Sequence, residues 1–461
     1  MARYDPEFAE MRFGLGLSPL FAPAVSPEAM LAGLSLPDRM AERYPIDGFE
    51  PFRKRVLHTI ELQKSARALD PGRKRSRLEA QRAEMLGQMR GDQLRWFGQT
   101  MLRRIHTDSG LRERLVFFWS DHFTARGKIG GMRYGSATFV EDAIRPNVTG
   151  RFADLLIAAV THPVMLQYLD QTRSVGPNSR FARDSEVARG LNENLAREVL
   201  ELHTLGVDGP YGQADVRQLA ELFTGLSYRA QSGFRFRPRL VEPGEETVLG
   251  VTYPDVKDLE AVRRVLEDLA RHPATAVHVA RQLAVHFVSD APDPALVDHA
   301  AARFRDTDGD LMSVYAALLE HPAAWAQPFV NVKFPLDFIS SALRALALPP
   351  EAISGLLDAQ MRGWFLRSLG RMGQPWETVI EPDGWTEEDN EWLTPQGLAA
   401  RVEWAMAVPR KLMDVMPDPR RFVVQALGRH APPEVVFAAS AAESQSEAIG
   451  LVLCCPHFQR R

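Results

Sequence analysis

Cysteine is nearly absent: there are two in 461 residues, Cys454 and Cys455, side by side near the C-terminus. Adjacent thiols bridge only with strain and have no third partner, which excludes a disulfide framework or a thiolate metal site. Long apolar runs are missing too. Leu155 to Val160 is among the longest, far short of the roughly 18 residues that would mark a membrane span, so none is expected. No charge of one sign dominates. Fifty-five Lys plus Arg oppose 59 Asp plus Glu, a net charge of −4, which provides no global basic field for nucleic acid. A secretory pattern is lacking as well. Acids at Asp5, Glu7 and Glu10 precede the first apolar stretch, and Pro19 and Pro23 interrupt it, so a cytoplasmic location is expected.

What remains is an ordinary globular composition, 45% hydrophobic and 25% charged, and a pattern that is helical almost throughout. Residues 76–106 begin with Ser76 and Glu79 at capping-box spacing and follow a basic run from Arg53 to Arg75, the turn being Asp70-Pro71-Gly72. Acids are interleaved with the bases and no recognition motif follows, so this reads as a solvated amphipathic hairpin, not a nucleic-acid surface. Further helices are expected at 111–123, 149–161, 185–204, 213–226, 257–271, 274–289, 293–304, 310–320, 333–346, 350–370, 394–406, 418–429 and 442–454. The stretch 227–256 breaks the pattern: Phe234 and Phe236 alternate with Arg235 and Arg237, and Thr247 to Thr252 is β-prone, as in a small hairpin. The expected fold is therefore an all-α, large multi-helix body over 1–461, with one β-hairpin-like excursion near 230–256. Lobes at 1–226 and 257–461 would be joined by the irregular segment 227–256. A second irregular stretch, 373–395, holds Trp376, Trp385 and Trp392 and is too aromatic for a linker. Apolar helices stop two residues before Pro163, Pro273, Pro322 and Pro456, each of which is expected to open the next element; His162, His272 and His321 are expected to cap the C-termini of the helices they end.

Several chemical motifs fail on spacing. DTDGD at Asp306 to Asp310 would put Leu311 and Ala317 where a calcium loop needs Gly and Glu, so Asp308 to Asp310 is expected to cap the next helix. GKIGG at Gly127 to Gly131 lacks the Walker spacing, GLGLSP is no dinucleotide fingerprint, and no GxSxG elbow is present. No cofactor is indicated.

Two segments could carry chemistry. In LRERLVFFWSDHF, His122 projects from an apolar stripe with Leu111, Leu115, Phe118 and Trp119. In LNENLAREVLELHTLG, a regular helix would set Asn194, Arg197, Glu198 and Glu201 on one narrow face, with His203 in the opposite apolar arc and Gly206 as the stop. Two carboxylates, a guanidinium and an amide can bind a metal, orient water or hold a polar substrate. The same residues also make an ordinary structural network, with Arg197 and Glu201 as an i,i+4 pair. Glu201 and His203 point to opposite faces and cannot share one ion.

These residues resemble a known family. RFGLGLSP at Arg12 to Pro19, FWSDHF, and above all Asn192 to Gly225 are similar to the bacterial family catalogued as domain of unknown function 1800. So are His272 to Val288, Thr307 to Leu311, Lys333 to Leu346, MGQPWETVIEPDGW at Met372 to Trp385, and the closing PHFQRR. The resemblance implies a mainly helical fold and recurrent polar positions at His122, Asn192, Asn194, Arg197, Glu198, Glu201, His203, Asp215 and Gln374. It also implies a sulfatase-like neighbour, domain of unknown function 1501, as a partner, and an envelope location for many members. This chain departs from the family where many members carry a His-containing turn and a Lys; it has Val241 and Glu246.

The expected site has Glu198 or Glu201 as general base or metal ligand, Arg197 orienting an anionic group, and Asn194 donating a hydrogen bond. His122, as acid/base or metal ligand, and the loop bearing Gln374 and Trp376 would form the opposite wall, Gln374 and Trp376 binding substrate; the alternative has His122 and His203 as core histidines, each donating to a backbone carbonyl. Hydrolysis or a metal-assisted reaction suits these groups. The competing expectation is a non-catalytic scaffold or accessory factor for the sulfatase-like partner.

Overall fold

A computed structural model describes residues 4–184, 190–255, 258–326, 329–379 and 381–461. The fold is all-α. Its axis is the 34-residue helix Arg73–His106, which packs on Phe49–Arg67 through the expected turn. It starts three residues before Ser76, with Gly72 at the cap. The capping box does not form, because Glu79 instead pairs with Arg75 at 2.9 Å. The first half of this helix is solvated. Its second half is buried on two sides: Met89 and Trp96 enter one hydrophobic cluster, built from residues before 325, and Leu94, Phe97, Met101 and Ile105 enter a second, built mainly from residues after 335. Offsets of three, four and seven place each set on its own stripe.

Charge is buried beside the second cluster. Arg104, on this helix, and Arg461 both donate to the Asp337 carboxylate in the helix Pro335–Ala345, and Arg114 lies 3.6 Å away. Arg114 also donates to Nε2 of His286 at 2.9 Å, so the His286 Nδ1–H is free to donate to Glu387 at 2.6 Å. The three guanidiniums hold the Asp337 carboxyl down at about 2 against its burial.

The prolines punctuate the chain as their spacing predicts, but the capping works in the opposite sense to the expectation. Pro163, Pro273, Pro322 and Pro456 each open the next helix, and the residue before each caps that new helix, not the one it ends. Nδ1 of His162, His272 and His321 accepts the amide of Val164 at 3.2 Å, Ala274 at 3.1 Å and Ala323 at 3.3 Å. Cys455 does the same through Sγ, accepting from Phe458 at 3.4 Å. Each residue is extended, which turns its side chain forward, and an acceptor must be neutral. Burial accordingly pushes His162 down to about 3. Asp310 caps Leu311–Glu320 as expected, accepting from Ser313 at 2.8 Å.

The expected β excursion is present and, among the described residues, consists of two hairpins: β1 (Leu226–Arg229) with β2 (Gly233–Phe236), and β3 (Glu246–Val248) with β4 (Val251–Tyr253). The second turns through Leu249 and Gly250, both at positive φ, as a two-residue primed turn requires. Asp215 holds the unusual Leu249 conformation by accepting its amide at 2.7 Å. The region 350–370 is also not one helix. It breaks into Glu351–Ser354, Asp358–Met361, a π-helical turn Arg362–Leu366 and Arg367–Arg371. Among the described residues, no helix is long and apolar enough to cross a membrane.

Candidate functional site

The carboxylate-bearing helix is shorter and less regular than its sequence suggests. Residues 185–189 of the expected helix lie outside the described residues, and the α-helix runs only Asn194–Glu198. Asn192 starts it by accepting the Asn194 amide at 2.9 Å. From Val199 to Thr204 the chain is π-helical: Leu205 donates to the Leu200 carbonyl at 2.9 Å, and the Thr204 hydroxyl to the Val199 carbonyl at 2.6 Å. Such wide turns recur at functional sites. Leu195, Ala196, Val199, Leu200 and His203 are buried; Asn194 is exposed, while Arg197, Glu198 and Glu201 are half-buried.

Arg197 is tied to Glu201 at 3.2 Å, Glu193 at 3.4 Å and Gln213 at 3.0 Å. Glu198 differs, since its carboxylate accepts no hydrogen bond from the described residues. Burial and the negative charges of Glu201 and Asp383 push it up to about 7, Arg197 opposing them only in part. Tyr168 faces the same groups: burial raises its phenol, Arg126 lowers it, and Glu198 and Asp383 raise it further.

His122 lies behind this helix. Its Nε2–H donates to the His203 carbonyl at 3.2 Å, and Nε2–H of His278 donates to the Leu202 carbonyl at 2.9 Å. The two imidazoles thus satisfy carbonyls that the helix end leaves free. The His122 ring packs among Phe118, Trp119 and Phe123, and burial, His278 and His203 hold it well below the usual imidazole range.

Its neighbour Asp121 faces the other way, into a cavity of about 140 Å³. The walls come from the helices Arg73–His106 and Gly110–His122, the π-helical turn Val140–Ile144, and the segment 374–385. Gln374 and Trp376 are both wall residues. Gln374 is 4% exposed and accepts the Leu336 amide at 2.8 Å, and Trp376 meets Phe97 edge-on at 5.1 Å. Burial, Glu387 and Asp383 keep the Asp121 carboxyl well above its ordinary value. Burial also pushes Glu377 up to about 7, although Gln93 donates to it at 2.7 Å.

The structure therefore sets Asn194, Arg197, Glu198 and Glu201 on one helix, Gln374 and Trp376 in the cavity wall, and His122 behind both. The charge of Asp383 raises both Glu198 and Asp121, although no residue of the carboxylate helix is among those lining the cavity. Asp121, Tyr168, Arg126, Glu377 and Asp383 were not singled out from sequence. Asp121 stands beside His122 in FWSDHF, and Glu377 and Asp383 lie within the Met372 to Trp385 block, so a signal was present for these three. Of the other recurrent positions, Asp215 serves the β3–β4 turn. Glu246 is buried beside Glu221 and Glu242, and is pushed up to about 8. No group of three or more His, Cys, Asp or Glu able to hold a metal ion occurs among the described residues.

Fold and site together define an all-α protein with a half-buried carboxylate helix and a mainly apolar cavity that carries a few polar groups in its wall. A family model described as a protein of unknown function (DUF1800) matches residues 12–460, and the chain belongs to that family. No curated protein and no solved structure matches it.

Proposed function

We propose that the protein is a hydrolase in which Glu198 transfers the proton. One observation carries this reading: a half-buried carboxyl with no hydrogen-bond donor among the described residues, facing Glu201 and Asp383 and poised at about 7. As a carboxylate, Glu198 takes a proton from water as the water oxygen bonds to the substrate's electrophilic centre. It then returns that proton to the departing group. Glu201 and Asp383 keep the carboxyl basic, Arg197 and Asn194 orient the polar part of the substrate, and Gln374 and Trp376 hold the rest in the cavity. His122 positions the helix end through the His203 carbonyl. The test is a panel of chromogenic esters, phosphoesters and glycosides. A turnover that rises through about pH 7 and drops on the order of 100-fold in Glu198→Gln, with a melting temperature no lower than that of the wild type, is expected. Equal turnover in that variant, or none with any class, overturns the reading.

A second reading is a helical accessory factor for a sulfatase-like protein (domain of unknown function 1501). It draws on apolar side chains left open on the C-terminal helices, Val424 at 61% and Phe437 at 74% exposure. Co-purification with that protein, weakened by Phe437→Ser, is the expected outcome.

A further inference from the structure

Apart from Arg145 Nε, which lies 3.6 Å from a Glu141 oxygen, the wall of the 140 Å³ cavity carries four donor atoms without a hydrogen-bond partner among the described residues: Gln374 Nε2, Trp376 Nε1, Ser136 Oγ and Arg126 Nε. All four atoms are buried. The Gln374 amide is oriented by its own hydrogen bond: Oε1 accepts the Leu336 amide at 2.8 Å, leaving the NH₂ end unmatched. An unmatched buried donor costs about 1–3 kcal/mol, so four in one wall call for acceptor atoms inside the cavity. A single unpartnered acceptor, Glu113 Oε1, stands against them among the described wall residues, and the other oxygen of that carboxylate already takes Arg145 at 2.6 Å.

The charge of the wall points the same way. It holds four guanidiniums, Arg103, Arg104, Arg126 and Arg145. Glu141 answers Arg103 at 2.6 Å, Glu113 and Asp38 both answer Arg145 at 2.6 Å, and Asp337, from outside the wall, answers Arg104, whereas Arg126 makes no ion pair among the described residues. The remaining wall carboxyls, Asp121 and Glu377, are both held toward their neutral forms. Arg126 is the guanidinium left without a carboxylate, and its charge suits an anion. The rest of the wall is flat and apolar, with Phe117, Phe139 and Trp385 beside Trp376. A cavity of about 150 Å³ accommodates one benzene ring.

We propose that this cavity binds a small aromatic monocarboxylate, one ring bearing one carboxylate, whose oxygens accept from Gln374, Trp376 and Ser136. The proposal rests on the reading of the cavity as the substrate side of the Glu198 site, and names its ligand class. It is tested by calorimetric titration of the full chain with benzoate, with benzyl alcohol (the ring without the charge) and with acetate (the charge without the ring). Benzoate is expected to bind, and both controls to bind at least about tenfold more weakly. Trp376→Phe, which keeps an aromatic ring and removes Nε1–H, and Ser136→Ala are each expected to weaken benzoate about tenfold without lowering the melting temperature of the unliganded protein. Three results overturn it: no benzoate binding in the millimolar range, benzyl alcohol as tight as benzoate, or affinities unmoved in both variants. Binding is read without turnover. Failed binding with Glu198-dependent hydrolysis intact removes this inference alone, and benzoate binding without hydrolysis removes only the catalytic reading.

Discussion

Both carboxylate oxygens of Asp121 accept the backbone amide of Trp385, at 3.0 and 3.1 Å. The last turn of the helix Gly110–His122 thereby anchors the far end of the cavity segment, 264 residues away in sequence. The residue between Asp383 and Trp385 must be glycine. Gly384 has φ +83°, and a Cβ there would lie 2.8 Å from the Asp121 carboxyl carbon. Gly384→Ala is expected to cost about 2 kcal/mol in denaturant unfolding, from backbone strain and the close contact together. Asp121→Asn keeps an acceptor without the buried charge and should stay within about 0.5 kcal/mol of wild type.

Glu198 makes stability depend on pH in a predictable direction. Its folded value of about 7 lies above the ordinary 4.5, so the folded state holds the extra proton between those values. Its contribution is present below about pH 4.5 and is lost as pH rises through 7. Thermal melts of Glu198→Gln against wild type should show the variant gaining across that window, by about 1 kcal/mol once solvent screening is allowed for.

Asp337 behaves in the opposite way. Its folded value of about 2 lies below 3.8, so its stabilisation is present above pH 3.8 and is lost as pH falls through 2. Asp337→Asn leaves Arg104, Arg114 and Arg461 buried without their common anion, and is expected to cost about 3–5 kcal/mol by chemical denaturation.

His162 caps as a neutral acceptor, so acid should undo it. Its folded value of about 3 is below 6.5; the unfolded chain binds the proton first, and stability falls as pH drops from 6.5 toward 3. His162→Ala should cost about 1 kcal/mol for the cap, plus what the ring loses against Phe49 and Phe139. It should also flatten the acid limb of the stability curve.

Much of the fold is legible in the sequence because helix signals are local. The apolar spacing after Met89, Pro163 and its counterparts as helix openers, and Asp310 as a cap all follow from a few adjacent residues. His162, His272 and His321 cap the following helix and not the preceding one, because composition alone does not tell which of two abutting helices a ring will serve. The π-helical turn at Val199–Thr204 escaped the pattern for a related reason: one extra residue per turn leaves the apolar arc Val199, Leu200 and His203 intact. Within the site, Arg197 and Glu201 pair as their spacing predicts. Asp121, Asp383 and Glu377 gain their character only through partners hundreds of residues away or through burial, neither of which a linear reading contains.

The wide turn that follows Glu198 has the geometry of a single residue slipped into an ordinary coil. Removing one residue there would swing everything upstream by about 100° relative to everything downstream. Asn194, Arg197 and Glu198 would then face a different compass bearing from Glu201, with no side chain among them altered. The count of residues between Glu198 and Gly206 is therefore itself part of the site's aim.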